Sequence, residues 1–72
     1  MKQARQAEPN SSAERIRGAR LALHLTQKQV AAELGWRQAR VSSYERGHFA
    51  FSSAMELRIL DAIGAAGRKA VR

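Results

Sequence analysis

The stretch from Thr26 to Gly47, TQKQVAAELGWRQARVSSYERG, limits what this chain can become more than any other part of it. Val30, Ala31 and Leu34 fall on one face of an α-helix. Thr26 before them and Gln29 three residues on fit a capping box, in which each side chain satisfies a backbone N–H that a helix start leaves unpaired. Gly35 tolerates the left-handed backbone that closes a helix and lets the chain turn sharply. A second short helix restarts around Trp36 to Gln38, keeps Val41 and Tyr44 on one side, and stops at Gly47. Two short helices joined at a glycine are the outline of a helix-turn-helix.

A chain of 72 residues makes one small domain, whose modest core gains from a partner subunit. Thirteen Lys and Arg against six Asp and Glu give a formal charge of +7. That balance favours a polyanion: nucleic acid first, an anionic membrane surface second. The basic residues accompany no strongly apolar amphipathic face, so double-stranded DNA is the better fit of the two. No apolar run is long enough to span a bilayer, and none follows the basic N-terminus as a secretory signal would; a cytoplasmic location is expected. The chain has no cysteine, and its two histidines, His24 and His48, stand far apart, so neither a metal nor another cofactor is expected. No convergent acid–base pair or nucleophile points to catalysis.

Either side of the motif the chain reads simply. Residues 1–10 are polar and without apolar periodicity, and are expected to form a mobile arm whose Lys2 and Arg5 can reach phosphate or a minor groove. The domain proper is expected over 11–66, with a short basic tail over 67–72. Ser11 with Glu14, or Ser12, caps a first helix that runs to about Leu23. Ile16, Ala19 and Leu23 form its stripe, and Leu21 and Leu23 add either further core, the favoured reading, or a contact surface. His24 and Leu25 connect it to the motif, with His24 expected to be solvated. After Gly47, the loop HFAFSS carries Phe49 and Phe51. Loop aromatics either fold back over the core or meet a second subunit, which makes both residues candidates for a dimer surface. Ser53 with Glu56 fits a capping box for a last helix expected to end at Gly64, with Met55, Ile59 and Ile63 on one face and Leu57 and Leu60 widening it.

A helix lying in a major groove must present base-reading side chains from its first turn and phosphate donors from its flanks. The second motif helix turns Arg37, Gln38, Ala39, Arg40, Ser42 and Ser43 away from Val41 and Tyr44. Gln38 can pair with the N6/N7 edge of adenine, Arg37 or Arg40 with O6/N7 of guanine, and Ala39 can meet a thymine methyl. Gln27 opens the first motif helix, where backbone N–H groups and the helix dipole favour a phosphate. Lys28 and Arg46 add charge contacts.

From Ile16 to Gly47 the chain resembles the lambda-repressor-like helix-turn-helix family, of Cro and XRE type. The resemblance rests on Ile16-Arg17, Arg20, Leu25 to Gln27, Val30-Ala31, Leu34-Gly35, Val41-Ser42 and Glu45 to Gly47. It implies an all-α, compact bundle of four or five helices, with the helix after Gly35 as the recognition helix. It further implies Gln27 as a phosphate-contacting position and Gln38, Ala39 and Ser43 as base-facing ones. Arg20 and Glu45 look like the family's buried ion pair, a structural role. Three departures stand out. Arg37 replaces a small capping residue, which favours contact over capping; Phe51 stands about where a loop proline is usual; and Ser53 replaces a core leucine. The implied function is a transcriptional regulator, expected as a repressor binding pseudo-palindromic sites as a homodimer. Two alternatives involve a partner protein: an antitoxin that binds its toxin, with Leu21, Leu23, Phe49 and Phe51 as the contact patch, or an accessory co-regulator.

Overall fold

A computed structural model describes residues 3–71, with side chains from residue 11 onward. Four helices follow in order: α1 (Gln3–Ala22), α2 (Gln27–Leu34), α3 (Gln38–Glu45) and α4 (Ser53–Ala70). No strand occurs among the described residues. α2 packs against α3 and α4, and α1 against the same two helices. Ile16, Leu25, Val30, Ala31, Val41, Tyr44, Ile59, Ile63 and Ala66 meet at the centre, so each helix contributes to one core.

The capping box at the start of α2 is complete. Thr26 Oγ1 accepts from the Gln29 backbone N–H at 3.0 Å, and Gln29 Oε1 accepts from the Thr26 N–H at 2.7 Å. The first three helices end in the same way, by a paired hydrogen-bond closure around one left-handed residue. At α2 that residue is Gly35 (φ 73°), with the Trp36 N–H donating to the Ala31 carbonyl at 2.9 Å. At α3 it is Gly47 (φ 80°), with the His48 N–H donating to Ser43 at 3.0 Å. At α1 it is His24 (φ 58°), with the Leu25 N–H donating to Arg20 at 3.1 Å. His24 is exposed as expected, but its backbone occupies a region that a side chain disfavours.

The outer helices depart from the sequence expectations. α1 begins at Gln3 rather than at Ser11 or Ser12, so most of the segment expected as an arm has helical backbone; Lys2 lies outside the described residues. Gln, Ala, Arg and Glu over residues 3–8 are good helix formers, and Pro9 within the run withholds one N–H without ending it. Ser12 therefore caps nothing; its hydroxyl donates to Glu56 Oε1 at 2.8 Å. α4 is capped by Ser52, whose Oγ accepts from the Met55 N–H at 3.0 Å, and not by Ser53. Nor does α4 stop at Gly64, because its buried stripe continues through Ala66 and Gly67. The expected tail is thus helical as far as Ala70.

Two apolar assignments also change. Leu21, Leu23 and Leu57, expected as core, are exposed, and Ala13 and Leu25 are buried in their place. Leu23 instead lies across α4: a Cβ at Gly67 would come within 2.8 Å of its Cδ1, so the missing side chain permits this close approach.

Candidate nucleic-acid interface

α3 divides cleanly by face. Val41, Tyr44 and Glu45 are buried, Arg37 to Arg40 are exposed, and Ser42 and Ser43 are half-buried. Arg37 is the N-cap residue, but its side chain makes no capping hydrogen bond and the residue is exposed. Gln38 begins the helix, with Ala39 and Arg40 beside it. Lys28 and Arg46 are exposed as well. Among the described residues the ion pairs are Arg15–Glu56, Arg20–Glu45 and Lys69–Glu33, so the cations at 28, 37, 40 and 46 have no carboxylate partner.

Behind this face α3 is fastened by a buried charge. Arg20 Nε donates to Glu45 Oε2 at 2.7 Å and its Nη2 to Oε1 at 2.9 Å, a two-pronged contact that uses the planar guanidinium. Its remaining nitrogen, Nη1, donates to the Leu25 carbonyl at 2.8 Å. The hydrogen bonds to Glu45 raise the Arg20 pKa further, so this guanidinium stays charged. Gln27 Nε2 donates to Glu45 Oε1 at 3.1 Å, and Gln38 Nε2 donates to Gln27 Oε1 at 3.4 Å. A chain of polar contacts thus runs from α1 through Glu45 and Gln27 to the first residue of α3. At its outer end the contact is long and exposed, so it links the Gln38 amide to the chain only weakly. Gln27 serves here as a link as well as a helix start, a role that its position in sequence did not reveal.

The aromatic side of α3 was also hidden. Tyr44 stacks on Trp36 with centroids 5.4 Å apart and planes at 22°, and packs against Phe49 at 4.7 Å and Phe51 at 5.0 Å. Phe51 therefore folds back over the core, while Phe49 keeps 45% of its surface exposed. The Arg40 guanidinium carbon lies 4.0 Å from the centre of the Trp36 ring. The spacing Trp36–Arg40–Tyr44 was the available signal for this stack.

A family model described as helix-turn-helix matches residues 16–65, more than two-thirds of the chain. The chain belongs to the Cro- and XRE-type helix-turn-helix family. No curated protein and no solved structure matches it significantly. Membership makes the protein a DNA-binding transcriptional regulator, in a family that is not typically enzymatic. The match takes in α2, α3 and the Gly35 turn, and also the two residues of the buried ion pair. Among the described residues no helix is long and apolar enough to cross a membrane.

Proposed function

We propose that this helix-turn-helix protein is a repressor that binds pseudo-palindromic operator sites as a homodimer, with α3 in the major groove of each half-site. The observation that carries the reading is the exposed polar first turn of α3 set against a buried opposite face. Gln38, in contact with Gln27, pairs with adenine; of the two arginines that could address guanine, Arg37 is preferred because Arg40 lies against Trp36; Ala39 meets a thymine methyl; Ser42 and Ser43 add less selective contacts. The helix start at Gln27, with Lys28 and Arg46, holds phosphates. A dimer places its half-sites about 34 Å apart, one helical turn of duplex. Phe49 offers it an exposed aromatic surface, and both Phe49 and Phe51 pack on the buried Tyr44.

Binding-site selection tests the assignment. Gln38→Ala is expected to relax preference at one base position by about 1–3 kcal/mol. An unchanged selected sequence removes Gln38 from base reading. Arg46→Ala is expected to weaken all duplexes alike and to reduce the salt slope by about 0.9; a loss confined to one sequence contradicts the phosphate role. Footprinting should protect two half-sites, and sedimentation should give a dimer at the concentrations that bind.

The exposure of Leu21, Leu23 and Phe49 favours one second reading, a partner protein such as a toxin or a co-regulator covering these side chains. A second chain co-purifying with the wild type, and lost on Leu21→Ser/Leu23→Ser, would support it. DNA binding by the pure protein alone would leave that partner unnecessary.

A further inference from the structure

We propose that Trp36 is a positioning residue for Arg40, holding its guanidinium on the flank of α3 as a clamp for a DNA backbone phosphate. The proposal rests on the reading of α3 as the groove-docking helix.

Trp36 is anchored at its backbone and packed at its ring. The Trp36 main-chain N–H donates to the Ala31 carbonyl at 2.9 Å in the closure of α2, and the indole stacks on the buried Tyr44 at 5.4 Å. Arg40 lies over that platform, 4.0 Å from the Trp36 centroid and 6.0 Å from that of Tyr44. Arg40 precedes Tyr44 by four residues, so both lie on one side of α3. Because Tyr44 is buried and Ala39 exposed, this side is the border between core and groove face, where a docked helix meets the sugar-phosphate wall. In that docking Ala39 and Ser43 would face the base edges, about a quarter-turn from Arg40.

The stack changes what Arg40 can do. An unrestrained arginine loses rotamer freedom when it binds; one already held against a ring loses less. With its central carbon 4.0 Å from the ring centre and the residue exposed, the guanidinium can rest on the ring and still offer N–H groups to a phosphate. Arg40 has no carboxylate partner among the described residues that would have to be displaced.

A double-mutant cycle on DNA affinity is the test, with circular dichroism confirming that each variant folds. Arg40→Ala should weaken every duplex alike and lower the salt slope by about 0.9, with the selected sequence unchanged. Trp36→Leu should weaken binding about two- to fivefold, the range of an exposed cation–π contact, and Trp36→Phe should recover part of the loss. Once Arg40 is alanine, Trp36→Leu should cost nothing more. An equal loss in both backgrounds overturns the positioning role and makes Trp36 a packing residue only. A changed preference at one base pair in Arg40→Ala overturns the phosphate assignment. In the free protein, ring-current shifts of the Arg40 side-chain protons should shrink in Trp36→Leu to what the more distant Tyr44 ring produces. Their absence from the wild type overturns the stack itself, while their presence in a protein without salt-dependent duplex affinity brings down the DNA reading and the clamp with it, though not the stack.

Discussion

Two arginine–carboxylate pairs tie α1 to the rest of the molecule, and they differ in almost nothing but their surroundings. Arg20 meets Glu45 at 2.7 Å with side chains 11% and 4% exposed; Arg15 meets Glu56 at 2.5 Å with side chains 57% and 16% exposed. Each carboxylate has a further neutral donor, Gln27 for Glu45 and Ser12 for Glu56. Distance alone would rank them together. Burial separates them, because water can replace Arg15 at Glu56 but cannot easily reach Glu45. The inner pair fixes where α3 stands, and with it Gln27 and Gln38. The outer pair trims the contact between α1 and α4.

Removing one member of each pair should expose the difference. Glu45→Ala strands the Arg20 charge in a dry site and should cost about 3–5 kcal/mol, read by urea denaturation with an unchanged m value. A loss near that of an exposed pair would mean that Glu45 is solvated after all and would erase the contrast. Replacing both partners, Arg20→Leu with Glu45→Met, should recover most of the stability, because two desolvated charges are exchanged for apolar packing. DNA affinity should not recover with it, since Gln27 has then lost its anchor. A double variant that binds like wild type would separate the ion pair from the placement of the recognition helix.

The turn below the inner pair sharpens the same point. Leu25 offers its carbonyl to Arg20 because His24 takes a left-handed backbone, φ 58°, immediately before it. A glycine adopts that conformation without the Cβ clash, although it also frees the unfolded chain. His24→Gly is therefore expected to raise stability by about 0.5–1 kcal/mol by thermal unfolding. A destabilised variant would show that the imidazole itself supports the turn. Nothing comparable is expected of a glycine placed beside Arg15, which sits in ordinary helix.

What could be read from the sequence follows the range of the forces involved. Thr26 with Gln29, Gly35 and Gly47 act within a few residues of themselves, so the turn and both motif helices were legible. Ser53 with Glu56 carries the same local signature as Thr26 with Gln29, yet Glu56 is taken by Arg15, 41 residues away, and the cap moves to Ser52. Gly64 looked like a stop, but buried Ala66 and Gly67 draw α4 on. At the interface the outward set from Arg37 to Arg40 followed from helical spacing. The Trp36 stack and the inward reach of Gln27 did not, because both need the turn's three-dimensional course. Of the two ion pairs, only the inner one was signalled, and by family resemblance.

The outer pair makes the smallest claim and the one most open to solution conditions. Hydrogen bonds from Arg15 and then Ser12 hold the Glu56 carboxyl down at about 2, from an ordinary 4.5. A carboxylate whose pKa falls on folding stabilises the native state above its unfolded pKa, and that share disappears as pH drops through the folded value. The stability difference between wild type and Glu56→Gln should therefore be constant at neutral pH, shrink between about 4.5 and 2, and vanish below. Since the Arg15 side of the pair lies in water, the difference should stay below that of Glu45→Ala and should shrink further in high salt. If it instead matched Glu45→Ala in size, or persisted into strong acid, burial would not be what distinguishes the two pairs.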